Sequence, residues 1–339
     1  MKRVMLTGAS GFIGSHVAAA LLDSGYEVRA WVRAGSTLPF INPALETVSG
    51  DILDADSVAK AIEGCDAVIH SAALYTFWTP RPKLMYDVNV SGTRTVLDAA
   101  IRCGVERIVY TSTVSTVKLY SNGRLADETL DAEPSDLAGH YKRSKFQAEM
   151  EARRYASEGA PIVIVNPTFP VGSRDMKPSP TGQTIVDFLR RAFPAFVDTG
   201  INVVDVRDVA KGHVLALEHG TPGQRYLLGS AHGNMTLREF LGILSEITGL
   251  PTPNRRAPWW LALTAAYVDH FIEGMLLGRQ PRIPLEGTKH ARKVMWIDPS
   301  KAITELGLPQ SPVKDALREA VEWYISTGYV GNSYNRQLN

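Results

Sequence analysis

A tyrosine and a lysine stand four residues apart in the segment Tyr141-Lys-Arg-Ser-Lys145. On a helix this spacing places both side chains on one face. An ammonium beside a phenol favours the phenolate, which lowers the pKa of the tyrosine and makes it a usable acid or base near neutral pH. The pair therefore predicts proton-transfer chemistry at Tyr141. A solvated lysine next to a half-buried tyrosine is the alternative without function.

Hydroxyl side chains cluster in the segment Tyr110-Thr-Ser-Thr113, at the end of a predicted strand. A hydroxyl beside the tyrosine can donate a hydrogen bond to a substrate carbonyl and hold it for reaction. Strand ends are also rich in Thr and Ser through β propensity alone. The place of this run at the end of a strand favours the functional interpretation.

A glycine-rich loop, Gly8-Ala-Ser-Gly-Phe-Ile-Gly14, lies between a predicted strand and a predicted helix at the N-terminus. Glycines at these positions permit a tight turn, bring the backbone close to a pyrophosphate and let the helix pack closely on the strand. The loop predicts dinucleotide binding, and a turn that serves packing only is the alternative.

These motifs need elements that bring them together, and the first 170 residues alternate short apolar runs with helical periods. The predicted strands cover residues 3–7, 27–33, 45–49, 66–70, 107–112 and 161–166, and the predicted helices cover 12–23, 55–63, 84–103 and 141–157. This alternation implies right-handed βαβ crossovers and a parallel sheet with helices on both faces. Ligands bind such sheets at the carboxyl ends of the strands. We therefore predict an α/β fold with a Rossmann-type doubly wound sheet.

The pattern changes after residue 170. Residues 171–200 are rich in Pro, Gly and Ser, residues 201–220 resume the alternation, and the remainder is mostly helical with scattered prolines. We predict a dinucleotide-binding domain from residues 1–170 and about 201–229. A smaller, mostly helical and discontinuous substrate domain takes about 171–200 and 230–339.

Composition excludes several function classes. The 339 residues include 36 Lys and Arg against 35 Asp and Glu, a net charge of +1, which argues against nucleic acid as the main partner. Two cysteines and no His-x-x-x-His pair give no support for a metal site. The longest uncharged apolar stretch, residues 257–268, is too short to span a bilayer, and the N-terminus shows no signal-peptide pattern. We therefore expect a cytoplasmic protein.

Large apolar residues are concentrated in the segment Trp259-Trp-Leu-Ala-Leu263, with Tyr267, Phe271 and Ile272 close behind. An interfacial membrane helix needs a basic polar face, and the flanking Asp269 and Glu273 do not provide one. We predict that this helix packs in the core or against another copy of the chain. Contact with lipid is the remaining alternative.

The glycine loop, the hydroxyl run and the tyrosine–lysine pair, in this order, resemble the extended short-chain dehydrogenase/reductase superfamily over nearly the whole chain. Further support comes from Gly50-Asp-Ile52, His70-Ser-Ala-Ala73 and Asn89-Val-Ser-Gly-Thr93. The resemblance implies that Thr113 orients the substrate, that Tyr141 is the general acid/base, and that Lys145 binds the ribose and lowers the pKa of Tyr141. Many members have Ser where this chain has Thr113, which leaves Ser112 as an alternative.

The resemblance also implies a nicotinamide dinucleotide cofactor, with the Asp51 carboxylate near the adenine. The predicted cofactor contacts are Gly8, Ser10, Gly11, Phe12, Ile13, Gly14, Arg33, Asp51, Ile52, Ala72, Ala73, Asn89, Tyr141, Lys145 and Pro167.

Four segments narrow the resemblance: Tyr141-Lys-Arg-Ser-Lys-Phe146, Val165-Asn-Pro-Thr-Phe-Pro-Val-Gly172, Lys177-Pro-Ser-Pro-Thr-Gly182 and residues 197–208. They are similar to the hopanoid-associated sugar epimerase family, itself similar to dihydroflavonol 4-reductases. This implies a bacterial enzyme that transfers a hydride at a carbonyl or carbinol carbon of a small or lipid- or sugar-derived substrate. Sugar epimerisation or dehydration is the runner-up. A non-catalytic dinucleotide sensor is a weaker alternative, because a sensor needs no Thr-Tyr-Lys set.

The end of the second strand predicts the cofactor type. NAD-specific sites usually carry an acid there, which accepts a hydrogen bond from the ribose 2′-hydroxyl. This chain has Val32 at that position, followed by Arg33. A guanidinium suits a 2′-phosphate, with Ser10 and Arg29 or Ser36 as helpers. The sequence therefore favours NADP(H), with NAD(H) as the alternative.

Loops that follow the predicted strands supply the expected contacts to a small-molecule substrate, Tyr75, Trp78 and Lys177, with ordinary loop packing as the alternative. By analogy with relatives, the helices at residues 84–103 and 141–157 would pair in a homodimer.

Overall fold

The structure is a computed structural model that describes residues 2–330, except residues 194, 254, 284 and 292. The described residues contain ten strands: β1 (Arg3–Thr7), β2 (Glu27–Val32), β3 (Leu45–Ser49), β4 (Ala67–His70), β5 (Arg107–Thr111), β6 (Ile162–Pro167), β7 (Phe169–Val171), β8 (Gly200–Asp205), β9 (Arg225–Leu228) and β10 (Asn234–Thr236).

The same residues contain eleven α-helices: α1 (Phe12–Asp23), α2 (Ala55–Ile62), α3 (Pro82–Tyr86), α4 (Gly92–Arg102), α5 (His140–Ser157), α6 (Pro180–Leu189), α7 (Val206–His219), α8 (Leu237–Thr248), α9 (Trp259–Asp269), α10 (Leu285–His290) and α11 (Val313–Ser326). Two π-helical segments extend helices: Asp87–Ser91 joins α3 to α4, and His270–Leu276 continues α9.

Seven strands form the main sheet in the order β3-β2-β1-β4-β5-β6-β9, and every neighbouring pair is parallel. The chain builds outward from β1 on one side and returns to build outward from β4 on the other. The order reverses between β1 and β4, where Thr7 pairs with His70. Their carboxyl ends open the crevice in which sheets of this kind bind ligands.

Alternation along each strand divides its apolar side chains between two faces of the sheet. In β1, Val4 and Leu6 join a core with α1 and α7, while Met5 joins a core with α2, α4 and α5. Because both faces are covered, the central strands are mostly apolar, and all six residues of β6 are buried.

A second, three-stranded sheet has the order β10-β8-β7. The chain leaves the main sheet at the end of β6 and enters this one as β7 after a single residue, Thr168. The small sheet, α6, α8 and α11 share a separate apolar core.

The predicted fold class is confirmed, and the predicted β1, α1 and β3 have the observed bounds. The predicted helix over 84–103 is interrupted by the π-helical segment Asp87–Ser91. Residues 171–200, rich in Pro, Gly and Ser and assigned to the mostly helical domain, contain α6, which starts at a Ser179 N-cap and Pro180. The prediction also missed β9, because a four-residue strand that begins with an arginine carries a weak periodic signal. The domain boundaries stay a prediction.

Within the described ranges, none of the helices combines the length and the apolar character needed to cross a membrane. Over the same residues, His, Cys, Asp and Glu side chains do not gather in threes that could hold a metal ion.

Candidate active site

The glycine loop after β1 has no room for a side chain at its first and last glycines, Gly8 and Gly14. Gly8 has a φ of +80°, and a Cβ there would lie 2.7 Å from the backbone nitrogen of Ala72, at the end of β4. A Cβ at Gly14 would lie 2.1 Å from the carbonyl oxygen of Gly8, so α1 packs directly on the turn. The predicted reasons for these glycines, a tight turn and close helix–strand packing, are both present.

The N-terminus of α1 is open to an anion. Its N-cap is Gly11, no side chain caps the first turn, and that turn has no acidic residue. The free N–H groups and the helix dipole favour negative charge at this end. The loop and the helix start together form a cradle that fits a dinucleotide pyrophosphate, and Ser10, Phe12 and Ile13 belong to it.

A buried hydrogen-bond network joins the strand ends beside this cradle. The Thr7 hydroxyl accepts from the backbone N–H groups of Ser71 and Ala72, both at 3.1 Å, and lies 2.7 Å from His70 Nδ1. His70 Nε2 lies 3.0 Å from the Thr93 hydroxyl. Burial, with a smaller effect of the Lys145 charge, lowers the pKa of His70 to about 3, so this imidazole is neutral. Thr7 and Thr93 are not among the predicted site residues, although both take part in this network.

Tyr141 and Thr113 meet at the end of β5. The Thr113 hydroxyl lies close enough to the Tyr141 phenol to influence its pKa, and both residues are buried. Burial, reinforced by the neighbouring Tyr75, raises the pKa of Tyr141 well above the usual range of a tyrosine, while the Thr113 hydroxyl lowers it. The phenol is therefore protonated at neutral pH, and it can donate a proton.

Lys145 lies on the same helix but does not bond to Tyr141. Its Nζ donates to the carbonyl oxygen of Thr111 at 2.7 Å and to the hydroxyl of Tyr110 at 3.0 Å. Burial lowers the pKa of Lys145 to about 7, although Glu149 opposes this. The expected lowering of the Tyr141 pKa by Lys145 is therefore not seen in this arrangement, because the ammonium is held against β5.

The structure distinguishes Thr113 from its alternative, Ser112. The Ser112 hydroxyl donates its one proton to the carboxylate of Glu149. It therefore cannot donate to a substrate carbonyl beside Tyr141 at the same time. Glu149 is fully buried and also accepts from Thr116 at 2.6 Å, Asn166 at 2.9 Å and Arg225 at 3.0 Å.

Glu149 is not among the predicted site residues, although its spacing from Tyr141 and Lys145 indicates that it faces the same strand ends. It lies four residues after Lys145 and eight after Tyr141, on the helix face that turns toward the sheet. The buried carboxylate therefore ties the strand end that carries Thr113 to α5 and to β6 and β9.

Asn89 lies in the π-helical segment Asp87–Ser91, a kind of irregularity found frequently at functional sites. Its Oδ1 accepts from the backbone N–H of Leu74 at 2.7 Å, and its Nδ2 donates to the Leu74 carbonyl at 3.2 Å and to the Ser144 hydroxyl at 2.9 Å. These bonds hold Asn89 in place, and its contact with the cofactor stays a prediction. Asn89 positions the loop after β4 against α5.

The loop positioned by Asn89 carries the first predicted substrate contact. The ring of Tyr75 lies 4.5 Å from that of Tyr141, centroid to centroid, and Phe77 lies 6.4 Å away. Tyr75 is 42% exposed, so it faces the open side of the site. The structure therefore places Tyr75 against Tyr141, and the contact of Tyr75 with a substrate stays a prediction.

Trp78 lines a cavity of about 410 Å³ that His140, the residue before Tyr141, also lines, whereas Tyr141 itself does not line it. Other lining residues include Phe77, His140, Arg143, Met275 and Glu286. Lys177, the third predicted substrate contact, is exposed before α6 and does not line this cavity. A larger cavity of about 650 Å³ lies against Arg256 and Trp259 and contains none of the predicted site residues.

Arg33 follows β2 directly and is exposed. The described residues show no hydrogen bond or ion pair to its guanidinium. The prediction that Arg29 helps to bind a 2′-phosphate is wrong. Arg29 lies in the middle of β2, where it pairs with Glu46 at 2.9 Å and donates to the carbonyl of Glu63 at 2.8 Å. The carboxylate of Asp51 accepts from the N–H of Leu53 at 3.0 Å.

Three further predicted cofactor residues lie at or near the carboxyl ends of strands. Ile52 packs against Gly92 at the start of α4. Ala73 follows β4 and is exposed. Pro167 is the last residue of β6.

A carboxylate faces the residues just before Tyr141. Glu286 accepts from the backbone N–H of His140 at 3.0 Å, and a Cβ at Gly139 would overlap its carboxyl group. Burial raises the pKa of Glu286 from 4.5 to about 7, although the His140 N–H and the charge of Lys142 oppose this. Glu286 is therefore protonated in part at neutral pH.

The raised pKa of Glu286 predicts a pH-dependent stability. Between pH 4.5 and about 7 the folded protein holds this proton and the unfolded chain does not, so the carboxyl group makes stability fall as pH rises. In Glu286→Gln we expect that fall to be smaller by on the order of 1–3 kcal/mol. Urea unfolding of both proteins at about pH 5 and about pH 7.5 measures it. An identical pH dependence in both would contradict the assignment.

Residues 4–229 match the NAD dependent epimerase/dehydratase family. A provisionally named dihydroflavonol 4-reductase of Synechocystis sp. is 46% identical over 330 residues, which cover 96% of this chain and 95% of that protein. Sterol demethylase protein B of Methylococcus capsulatus is 32% identical over 328 residues, which cover 96% of this chain and 99% of that protein. The crystal structure of gox2253 matches with a TM-score of 0.86 at 39% identity and covers 97% of this chain and 99% of its own.

Proposed function

Because the chain belongs to the NAD dependent epimerase/dehydratase family, it is an NAD(P)-dependent enzyme, and we propose that it is a carbonyl reductase with Thr113, Tyr141 and Lys145 as its catalytic residues. The observation that carries this proposal is the grouping of Thr113, Tyr141 and Lys145, all buried, at the end of β5 beside the glycine cradle. A protein that only senses a dinucleotide would need no such group.

The cradle between β1 and α1 holds the pyrophosphate in this proposal. Asp51 and Ile52 lie toward the adenine, and Ala72, Ala73 and Pro167 lie along the strand ends where the rest of the dinucleotide extends. When bound, the dinucleotide supplies or accepts the hydride. Lys145 binds the ribose with the third N–H of its ammonium, since two of its three donors go to β5.

Tyr141 moves the proton. In the direction of reduction its phenol donates a proton to the substrate oxygen while the carbonyl carbon receives the hydride, and in the reverse direction the same oxygen accepts a proton. Thr113 donates a hydrogen bond to the substrate oxygen and so holds the carbonyl beside Tyr141. Burial raises the pKa of Tyr141, so the phenol holds its proton at neutral pH before the reaction begins.

The cavity beside Tyr141 supports an apolar substrate. Phe77, Trp78, Met85 and Met275 contribute its apolar lining, and the polar or charged groups are His140, Arg143, His270, Glu286 and Lys289. A relative named for a sterol reaction is consistent with such a pocket. A panel of ketones, aldehydes and nucleotide sugars, assayed with NADPH and with NADP⁺, tests the reaction class. Turnover of a nucleotide sugar without net oxidation or reduction would favour the epimerase alternative.

Arg33 is the basis for proposing NADP(H) as the preferred cofactor. Its exposed guanidinium has no described partner and follows the strand end that lies toward the ribose of the adenosine. We expect Arg33→Ala to raise the Kd for NADPH by about ten- to a hundred-fold, because a charge-assisted contact to a 2′-phosphate is lost. Fluorescence titration with both reduced cofactors measures this effect.

The Kd for NADH in the same variant is the control, since NADH has no 2′-phosphate and its affinity should stay unchanged. Equal affinities of the wild type for NADH and NADPH would contradict the cofactor assignment. NAD retained through purification would also contradict it and would favour the epimerase, which oxidises and reduces one carbon in a single cycle.

A further inference from the structure

The helix α9 and the π-helical segment His270–Leu276 expose a continuous apolar face. Nine large apolar side chains on it are each between 45% and 68% exposed: Trp260, Leu261, Tyr267, Val268, Phe271, Ile272, Met275, Leu276 and Leu277. From Tyr267 to Leu276 they form adjacent pairs that repeat at intervals of three and four residues, and Trp260 and Leu261 lie about two turns earlier, so most of them line one side of the helix. We call this set the apolar face. Contiguous exposure of this kind marks an interaction surface on a folded protein.

The acidic residues of this helix point the other way. Asp269 accepts from the backbone N–H of Ile283 at 2.7 Å. The Glu273 side chain is 17% exposed and lies 3.7 Å from the guanidinium of Arg282. The predicted core packing is therefore wrong, and so is the reason for setting lipid aside, because the acids face the protein and not the apolar side.

The charged groups around the apolar face are cationic. Arg255 and Arg256 precede α9, Arg279 and Arg282 follow the π-helical segment, and Lys289 lies on α10; all five are exposed. The three acids of residues 251–293, Asp269, Glu273 and Glu286, are not exposed.

The sequence shows the same asymmetry. Residues 251–293 contain seven Lys and Arg against three Asp and Glu, a net charge of +4. Because the whole chain has a net charge of +1, the rest of it carries −3. The charge distribution therefore orients this side of the molecule toward an anionic surface.

We propose that the apolar face docks on the surface of an anionic lipid bilayer, with the five cations at the level of the lipid headgroups. An apolar helix face with cationic flanks is the arrangement that binds at a membrane interface. A second copy of this chain fits less well, because a two-fold contact between identical faces would bring the cationic flanks toward each other.

The apolar face continues into the cavity beside the catalytic tyrosine. His270, Gly274 and Met275 of the docking helix line that cavity together with Phe77 and Trp78. Docking would therefore place the cavity next to the bilayer, where an apolar carbonyl compound partitions. This part of the inference rests on the proposed function and makes the substrate a membrane-dissolved lipid.

Flotation of the full chain with lipid vesicles tests the docking. We expect the protein to float with vesicles of phosphatidylcholine containing about a third phosphatidylglycerol, less with phosphatidylcholine alone, and less as NaCl rises from about 0.05 to 0.5 M. The double variant Phe271→Glu/Met275→Glu should lose about a hundred-fold in vesicle affinity, because two apolar anchors are replaced by charges. Arg279→Gln should lose about five-fold.

The matched control is Ile41→Glu, since Ile41 is 85% exposed outside the apolar face and its replacement should leave flotation unchanged. Tyr141→Phe should also float like the wild type, which separates docking from catalysis. Absence of flotation with the anionic vesicles would overturn the docking and leave the reductase proposal standing. A fall in molar mass of the double variant from dimer to monomer, measured by light scattering, would overturn it in favour of a protein interface.

Discussion

Replacing Tyr141 with Phe is expected to lower kcat by about 10²–10⁴-fold, with the Kd of the cofactor nearly unchanged. The variant lacks the hydroxyl that lies next to Thr113 and donates the proton in the proposed reaction. The ring remains, so its packing against Tyr75, 4.5 Å away between centroids, is preserved. Steady-state kinetics on an active carbonyl substrate, with cofactor titration of the same preparation, measures both quantities.

Lys145→Ala supplies the contrast, because it should raise the cofactor Kd as well as lower kcat. If Tyr141→Phe reduces the substrate at nearly the wild-type rate, Tyr141 is not the proton donor. If it loses cofactor affinity as strongly as Lys145→Ala, its role lies in binding and not in proton transfer.

The largest stability effect is expected at Glu149. Glu149→Ala removes the fully buried carboxylate that accepts from Ser112, Thr116, Asn166 and Arg225. Donors would remain buried with one acceptor fewer, and Arg225 would keep only Asp131 as a charged partner. We expect a loss of about 3–5 kcal/mol in the free energy of unfolding, measured by urea denaturation.

Glu151→Ala is the matched control, two residues further along the same helix. Glu151 pairs with Arg94 and Arg154 at the surface, and such pairs contribute about 0–1 kcal/mol. Similar losses in both variants would show that the buried network is not the source of the effect. Glu149→Gln, which keeps one oxygen acceptor, should fall between the two.

Local sequence was sufficient where one segment determines its own structure. The strand, glycine turn and helix from Arg3 to Asp23 follow from apolar alternation and from glycines that the turn requires. The side-by-side placement of Tyr141 and Lys145 follows in the same way from helical spacing. These are contacts between near neighbours in the chain.

The partners of these residues lie far away in sequence, and no local pattern contains them. Lys145 bonds to Tyr110 and Thr111 of β5, more than thirty residues earlier. Glu149 accepts hydrogen bonds from Ser112 just after β5, from Asn166 on β6 and from Arg225 on β9. Periodicity also could not orient α9, because apolar residues occupy most of its circumference. Only the packed fold shows that Asp269 faces the protein and that Phe271 faces outward.

The π-helical segment Asp87–Ser91 has a consequence for reading homologous sequences. A π turn holds one residue more than an α turn, so the helix has the form of an α-helix with a single-residue insertion at this point. Deleting one residue would restore α geometry and leave the flanking parts of the helix facing about as before, but the side chains inside the segment would move to new positions. Asn89 could then no longer bond to both Leu74 and Ser144. A relative whose alignment has a one-residue gap between positions 87 and 91 is therefore expected to hold the loop after β4 by other contacts, even if every catalytic residue aligns.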